Sequence, residues 1–204
     1  MIAIMDYGVG NLFSVEKAFL YLGADAAITN DVDVLRRADK IVLPGVGAFG
    51  DCMKNLRASG MIPVLTEQVR EGVPLLGICV GLQILFEGSD ESPEAEGLGF
   101  FRGRVRKIQA DGLKIPHMGW NSLQMEKRES ADLFAGLSEN PFVYFVHSYH
   151  AVPEDANIIT ATAEYGERLT AAVARDNICA MQFHPEKSGD VGLQILQNFI
   201  GGRQ

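Results

Sequence analysis

Short apolar segments alternate with helical patterns in the first half of the chain, and this alternation strongly limits the possible folds. Ile2–Met5, Lys40–Leu43 and Pro74–Ile78 have the character of strands, and the last of them carries no polar side chain. Strands of that kind are buried on both faces, as they are in parallel sheets. The pattern predicts an α/β fold of three layers, in which a mostly parallel sheet lies between helices on both faces.

The second half of the chain has a different texture, with many strand-like segments and few helices. These segments are Phe101–Ile108, Leu123–Met125, Phe142–Val146, Ile158–Ala163, Ala171–Ala174 and Ile178–Phe183. Turns separate them, so we expect extra antiparallel strands beside the parallel ones. Trp120, in a glycine-containing stretch, is expected in a loop. Since no linker or repeat interrupts the chain, residues 1–204 are predicted to form a single domain.

Charge and cysteine content exclude several classes of protein. The chain has 18 basic and 26 acidic residues, a net charge of −8, which is unlike a protein that binds nucleic-acid backbones. Three widely spaced cysteines form neither a disulfide framework nor a zinc motif, and no metal or other cofactor is expected. The N-terminus resembles a strand rather than a signal peptide, and no apolar run could span a membrane. We therefore expect a cytoplasmic protein.

A sharp turn from a buried strand into a helix is the strongest chemical signal. The segment Gly77–Gly81 has the G-x-nucleophile-x-G pattern, with Cys79 in the nucleophile's place. The start of a helix favours a thiolate over a thiol, and the backbone N–H of Val80 would face a developing oxyanion. Taken alone, Cys79 could also be a buried core cysteine.

A second signal lies at the end of the apolar run Ile178–Phe183, where His184 is followed by Pro185 and Glu186. In an extended segment, residues two positions apart face the same side, so His184 and Glu186 can enter one site. A thiol nucleophile needs a proton acceptor, and that acceptor needs an orienting carboxylate. Beside the cysteine turn, this arrangement predicts a Cys-His-Glu triad rather than a surface histidine.

A third signal is the glycine-rich loop Pro44–Gly50, which follows a predicted parallel strand. Loops at that end of a parallel sheet form ligand sites. The backbone of Val46 and Gly47 could supply a second oxyanion donor, although a glycine turn without chemistry is also compatible with the pattern. We expect the glycines of this loop and of the cysteine turn to keep Cβ atoms away from the reacting carbon.

Together these segments resemble the class I (triad) glutamine amidotransferases, whose fold is flavodoxin-like. Within that family the resemblance is closest to the glutaminase subunits of imidazole glycerol phosphate synthases. That closer resemblance rests on four stretches between residues 6 and 188, namely DYGVGNL from Asp6, PHMGWN from Pro116, YFVHSY from Tyr144 and QFHPEKS from Gln182.

The resemblance implies a reaction and further site residues. Glutamine would be hydrolysed to glutamate and ammonia through a thioester on Cys79. Gln83, Glu91, Ser148 and Tyr149 would bind the amino-acid end of the substrate. Gln83 also lies one helical turn beyond Cys79, and this spacing puts both residues on the same face of a helix.

The resemblance also implies a protein partner, a separate (β/α)₈-barrel cyclase subunit in a heterodimer. This subunit would receive ammonia and convert the phosphoribulosyl intermediate PRFAR to imidazole glycerol phosphate and AICAR, in histidine biosynthesis. A barrel alone needs about 250 residues, more than the 204 present here. His117, Trp120 and Asn121 are the candidate interface residues, with structural roles as the alternative for His117 and Trp120.

Three other functions fit part of the pattern. The chain could be a glutaminase that serves a different synthase. It could be a cysteine peptidase or another thiol hydrolase that needs no partner. Finally, it could be a binding module in which Cys79 is structural, although such a module would have no need for His184 and Glu186.

Overall fold

The apolar segments of the first half form adjacent parallel strands, as the alternation predicts. The chain is described over residues 1–126 and 133–202 in a computed structural model. Its parallel strands are β1 (Ile2–Met5), β2 (Ala26–Thr29), β3 (Lys40–Gly45), β4 (Leu75–Cys79) and β13 (Ile178–Met181). They lie side by side in the order β2-β1-β3-β4-β13. β4 is therefore a central strand, and all five of its residues are buried.

Helices cover both faces of this sheet. They are α1 (Leu12–Tyr21), α2 (Val32–Arg36), α3 (Phe49–Ala58), α4 (Ile62–Arg70), α5 (Val80–Gln83) and α6 (Gly189–Gly201). The crossovers through α1 and α2 run in opposite directions across the sheet, so right-handed connections put these helices on opposite faces. α1 packs against α6, while α2 packs against α4. The three-layer α/β class predicted from the sequence is confirmed.

The second half extends the sheet with antiparallel strands, also as predicted. β12 (Arg168–Arg175), β11 (Ile159–Glu164) and β8 (Gln124–Met125) follow β13 in that order. Two smaller sheets lie beside the main one. One contains β10 (Tyr149–Pro153), β6 (Gly103–Lys107) and β5 (Gly88–Ser89), and the other pairs β7 (His117–Ser122) with β9 (Phe142–His147).

The prediction that Trp120 lies in a loop is wrong. Trp120 lies in β7, where it pairs with Tyr144 of β9 in antiparallel register. Gly119 interrupts this stretch, and its apolar residues Met118 and Trp120 are exposed while the polar His117 is buried, so the stretch lacks the usual strand alternation of apolar inward and polar outward residues. The partner strand β9 supplies the backbone hydrogen bonds that make it a strand. The pairing fixes which side chains of β7 face the protein and which face outward.

The core is continuous from the parallel strands to the antiparallel ones. Phe49, Phe86, Phe145 and Phe183 are among its largest fully buried side chains. Within the described ranges, no helix combines the length and the apolar character that crossing a bilayer requires. The fold therefore holds the carboxyl ends of β3, β4 and β13 against one well-packed core.

Candidate active site

Three neighbouring strand ends bring the predicted chemical groups together. Gly45, at the end of β3, pairs with Cys79 at the end of β4. On the other side of β4, Met181 of β13 pairs with Ile78, so the chain that follows passes beside Cys79 on its way to His184. The glycine-rich loop, the nucleophile candidate and the base candidate thus leave the sheet at the same edge, where parallel α/β folds bind ligands.

The backbone of Cys79 is strained. Its φ is 57° and its ψ is −113°, and a residue with a Cβ atom rarely adopts a positive φ. The helix α5 starts at the next residue, Val80, without a side-chain cap on its N-terminus. Strain of this kind at a strand-to-helix turn is typical of nucleophile elbows, where it presents the side chain to the substrate.

The glycines of the elbow have a different role from the expected one. A Cβ on Gly81 would lie 1.9 Å from the carbonyl oxygen of Leu43, and a Cβ on Gly77 would lie 2.9 Å from the Cβ of Ala180. Both contacts are with neighbouring strands, not with the space above the sulfur. These glycines therefore allow the turn to pack closely against β3 and β13, and the expectation that they clear space for the reacting carbon is wrong.

Two side chains contact backbone carbonyls of the loop after β3 and hold it in place. Tyr7 donates a hydrogen bond from its hydroxyl to the Pro44 carbonyl at 2.5 Å, and the Cys52 thiol lies 3.4 Å from the Val46 carbonyl. Gly47 has a φ of +92°, which favours glycine, and the neighbouring Val46 is 38% exposed. Val46 and Gly47, two of the three predicted oxyanion residues, therefore lie on an anchored loop next to Cys79.

His184 and Glu186 meet, but through a 3-10 turn rather than an extended segment. Residues Pro185–Lys187 form the turn, and Pro185 at its first position has the fixed φ that such a turn needs. Nδ1 of His184 lies 2.8 Å from Oε1 of Glu186, and both side chains are almost fully buried. The spacing of two residues thus gives the predicted contact by a different local geometry.

The surroundings of His184 favour its charged form. Burial lowers the pKa of His184, but its interactions with the Cys79 thiol and the Glu186 carboxylate outweigh burial and raise the pKa to about 9. Nε2 of His184 forms no hydrogen bond of ordinary geometry with any described residue, although the Cys79 sulfur is near enough to act on its charge. A protonated imidazole beside the Cys79 sulfur is therefore favoured near neutral pH.

Ser188, which sequence reasoning did not single out, fixes the backbone of His184. The Ser188 hydroxyl donates to the His184 carbonyl at 2.6 Å and accepts from the Tyr144 N–H at 3.0 Å. The His184 N–H in turn donates to the Tyr144 carbonyl at 2.9 Å. His184 is therefore docked onto β9, and nothing in the local pattern around Ser188 predicts a contact 44 residues away.

A cavity of about 300 Å³ opens over Cys79, within the usual size range of small-ligand sites. It brings together every predicted oxyanion and substrate residue with the nucleophile and the base. The residues that line it are Val46, Gly47, Cys79, Val80, Gln83, Glu91, Pro116, Val146, His147, Ser148, Tyr149 and His184. Glu186 lies behind His184, and the predicted interface residues lie outside the cavity.

Two of the predicted substrate residues are already engaged within the protein. Gln83 donates from Nε2 to the Tyr149 carbonyl and to Oε1 of Gln182, both at 3.0 Å. Glu91 accepts a hydrogen bond of 2.8 Å from the N–H of Phe49, the first residue of α3. A carboxylate at a helix N-terminus is stabilised by the helix dipole. Gln182, which contacts Gln83, and His147, which contacts the Tyr149 carbonyl, received no role from sequence reasoning.

The three predicted interface residues have different environments. Trp120 is 56% exposed and shares an outward face with the exposed Met118 and Phe142. His117 is buried on the opposite face of β7, which favours the structural alternative over the interface role predicted for it. Asn121 is partly buried and donates to His117 and to the Glu164 carbonyl. Met118, Trp120 and Phe142 therefore form a group of exposed apolar side chains on this outward face.

Comparisons with known proteins identify the family of the chain. Residues 3–201 match the model of the family Glutamine amidotransferase class-I. The chain is 51% identical to the imidazole glycerol phosphate synthase subunit HisH of Syntrophotalea carbinolica, covering 98% of each chain. It is 49% identical to the HisH subunit of Thermosynechococcus vestitus, covering 98% of this chain and 95% of the relative.

Solved structures show the same fold at low sequence identity. The crystal structure of a glutamine amidotransferase superposes with a TM-score of 0.74 at 21% identity, covering 97% of this chain and 98% of the other. PurLQS from Thermotoga maritima gives a TM-score of 0.74 at 20% identity, covering 98% of this chain and 96% of that chain. With both the sequence and the fold in agreement, the chain belongs to the class-I glutamine amidotransferase family.

Proposed function

We propose that this chain is the glutaminase subunit of an imidazole glycerol phosphate synthase, which hydrolyses glutamine and passes the ammonia to a cyclase subunit. The observation that carries the proposal is the shared cavity of Cys79 and His184, with Glu186 behind the imidazole. The relatives named as HisH subunits, about half identical over nearly the full length, support the specific synthase.

The first half of the reaction forms a thioester. The Cys79 thiolate attacks the γ-carbonyl carbon of glutamine, and the carbonyl electrons move onto oxygen. Backbone N–H groups of Val80 and of the Val46–Gly47 loop stabilise this oxyanion. As the intermediate collapses, the C–N bond breaks and His184 gives its proton to the leaving nitrogen. Ammonia departs, leaving a glutamyl thioester and a neutral imidazole.

The second half hydrolyses the thioester. Neutral His184 takes a proton from a water molecule as its oxygen adds to the thioester carbonyl. The C–S bond then breaks, glutamate leaves, and Cys79 returns as a thiolate beside a protonated His184. Glu186 holds the imidazole by its Nδ1 atom throughout, which keeps Nε2 available for the moving proton and stabilises the charged form.

The rest of the cavity recognises the amino-acid end of glutamine. Gln83, Glu91, Ser148 and Tyr149 all line it, and Gln83 lies in hydrogen-bond contact with the Tyr149 carbonyl. The Glu91 carboxylate suits the ammonium group of the substrate. Its hydrogen bond to the start of α3 keeps this carboxylate in place when no substrate is bound.

The partner in this proposal is a (β/α)₈-barrel cyclase that converts PRFAR to imidazole glycerol phosphate and AICAR. Ammonia is mostly protonated and unreactive in neutral water, so transfer inside a complex preserves it. Met118, Trp120 and Phe142 form the exposed apolar patch suited to such an interface. The proposal treats residues 1–204 as a single glutaminase domain that works in the cytoplasm.

Glutamine turnover in three mixtures tests the proposal. Glutamate release is measured with this chain alone, with the cognate cyclase, and with the cyclase and PRFAR together. We expect low turnover alone and the fastest turnover in the complete mixture, with imidazole glycerol phosphate formed from glutamine. Equal rates in the three mixtures would contradict the role of the partner.

Each of the other candidate functions predicts a different outcome in these mixtures or in a hydrolase assay. A chain that forms a complex with a different synthase, and does not transfer ammonia to PRFAR, would overturn the histidine assignment. Hydrolysis of peptides or esters without a partner would indicate a thiol hydrolase. Absence of any turnover by a folded complex would favour a binding module.

A further inference from the structure

A buried side-chain amide contacts the sulfur of Cys79. Nε2 of Gln182 lies 3.8 Å from the Cys79 sulfur, and Gln182 is fully buried. The contact follows from the strand register, because Met181 pairs with Ile78 and the next residue on each strand then lies at the same level. With sulfur as the acceptor, this distance is compatible with a hydrogen bond.

The orientation of the Gln182 amide is fixed by its neighbours. The Tyr149 carbonyl can only accept, so the atom of Gln83 that faces it must be the amide nitrogen. That same nitrogen faces the Gln182 side chain, which must therefore present its oxygen to Gln83. The remaining end of the Gln182 amide is the NH₂ group, and it is this group that points at Cys79.

The Tyr149 carbonyl that starts this sequence of contacts is itself held in place. His147 donates from Nδ1 to the same oxygen at 2.8 Å, so the carbonyl accepts two hydrogen bonds, its full capacity. Burial lowers the pKa of His147 to about 3, which keeps its ring neutral and its contacts unchanged near neutral pH.

An amide NH₂ group distinguishes between the two states of the sulfur. It can donate but cannot accept, so its contact with Cys79 requires the sulfur to accept a hydrogen bond. A thiolate is a far better acceptor than a thiol, and hydrogen bonds to charged groups are stronger than neutral ones. Because Gln182 is buried, water does not weaken the interaction.

We infer that Gln182 is a catalytic residue of this site, which stabilises and aims the Cys79 thiolate through its side-chain amide, and that Gln83 is the positioning residue that orients that amide. This role deepens the proposed function and rests on it. It also gives Gln83 a task besides contact with the substrate, since its nitrogen already has two partners within the protein.

Substitution of Gln182 removes none of the other titratable groups near Cys79. His184, which follows β13, interacts electrostatically with the sulfur, and so do Tyr7 and Cys52, which contact the glycine-rich loop. Glu186 acts through His184. A change in the pH dependence of Cys79 reactivity on substitution of Gln182 alone therefore reports the amide.

The test is the rate at which iodoacetamide alkylates Cys79, measured across pH by peptide mass spectrometry in the full chain. Gln182→Met keeps a long unbranched side chain and removes the donor. We expect it to lower the rate at pH 7 about tenfold and to move the pH profile about one unit higher, the size expected for one charge-assisted hydrogen bond. In the complex, kcat for glutamine should fall about tenfold with KM changed less than about twofold.

Two further variants make the result decisive. Gln68→Met removes another buried glutamine amide, on α4 and paired with Glu71, and should leave the alkylation profile unchanged. Gln83→Met should shift the profile in the same direction as Gln182→Met but by less, and it replaces that variant if Gln182→Met does not fold. A folded Gln182→Met protein with the wild-type profile would overturn the inference, as would a rise in KM with kcat unchanged.

Failure of the inference is distinct from failure of the proposed function. Alkylation needs neither glutamine nor a partner, so it measures the Gln182–Cys79 contact directly. Wild-type protein that alkylates as expected but never hydrolyses glutamine would contradict the proposed function and leave the contact intact. Normal turnover with an unchanged alkylation profile in Gln182→Met would contradict only the inference.

Discussion

Nδ1 of His117 lies 2.9 Å from Nε2 of His147, and the partners of this pair allow only one arrangement of protons. His147 must donate from Nδ1 to the Tyr149 carbonyl, so its Nε2 accepts from His117. Nε2 of His117 then accepts from the Asn121 amide at 3.3 Å. Both rings are neutral, and burial lowers their pKa values to about 4 for His117 and about 3 for His147.

Acid should destabilise the protein through this pair. An unfolded histidine titrates near pH 6.5, so below that pH the unfolded chain binds protons that the folded pair resists. The free energy of unfolding therefore falls as the pH decreases from about 6.5 towards 3. His117→Phe keeps a ring against Phe145 and Tyr165 and removes one titrating group.

We expect His117→Phe to reduce the acid slope by up to about 1.4 kcal/mol per pH unit, the value for one proton. Denaturant unfolding at several pH values between 4 and 7 measures the slope. An identical slope in the variant and the wild type would show that His117 is not held neutral by the fold.

Glu186→Gln should lower both the activity and the pKa of His184. The carboxylate supports the charged imidazole, so its removal should bring the pKa down from about 9 towards the ordinary value. Protonated His184 contributes to the free energy of unfolding below about pH 6.5, and this contribution is lost as the pH rises through about 9. The variant should have a smaller contribution of this kind. By analogy with other triads, kcat should fall by about 10²–10⁴-fold.

Histidine NMR titration of the Glu186→Gln protein checks the pKa, and steady-state glutamate release checks kcat. His150, buried on β10 and near Glu167, gives a second resonance that should not move. A His184 titration unchanged by the substitution would contradict the account of this pair.

Ser188→Ala should reduce kcat and lower the free energy of unfolding by about 1 kcal/mol, since it removes the hydroxyl that ties His184 to β9. Ser59 offers a matched control, because its hydroxyl also donates to a carbonyl, of Leu56, and accepts from a backbone N–H, of Met61. Ser59→Ala should affect stability but not kcat per folded molecule. Equal loss of kcat in both variants would contradict the positioning role of Ser188.

Trp120→Ala should weaken binding to the cyclase subunit by tenfold or more, as expected for an exposed aromatic anchor. Thermal stability should change little, because more than half of the side chain is exposed. Tyr21, which is 78% exposed on α1, provides the control for loss of an exposed ring. Titration calorimetry measures the affinity of the Trp120 and Tyr21 variants for the cyclase. Full affinity in Trp120→Ala would show that the interface does not include this part of β7.

Local motifs explain what the sequence could predict. The elbow around Cys79 and the pair His184 and Glu186 each lie within a few residues, and short turns in the chain determine their geometry. The central sheet was predictable for a similar reason, since apolar segments such as Leu75–Cys79 are buried on both faces wherever they lie in a parallel sheet.

Contacts between distant residues explain what the sequence could not predict. Gln83 and Gln182 are 99 positions apart, and neither shows a pattern that pairs it with the other. Trp120 becomes part of a strand only because β9 supplies a partner 24 residues later. The role of Gly81 in the elbow is not predictable from the local sequence either, because the carbonyl that it approaches belongs to β3.

Glutamate release by Cys79→Ala in the presence of the cyclase and PRFAR tests the central claim most directly. Cys179→Ala is the control, since Cys179 is a fully buried core residue on β13 whose thiol lies 3.7 Å from the Leu75 carbonyl. We predict that Cys79→Ala folds, binds the cyclase and releases glutamate no faster than the cyclase alone, while folded Cys179→Ala retains turnover. Glutamate release by Cys79→Ala at a rate near that of the wild type would contradict the account.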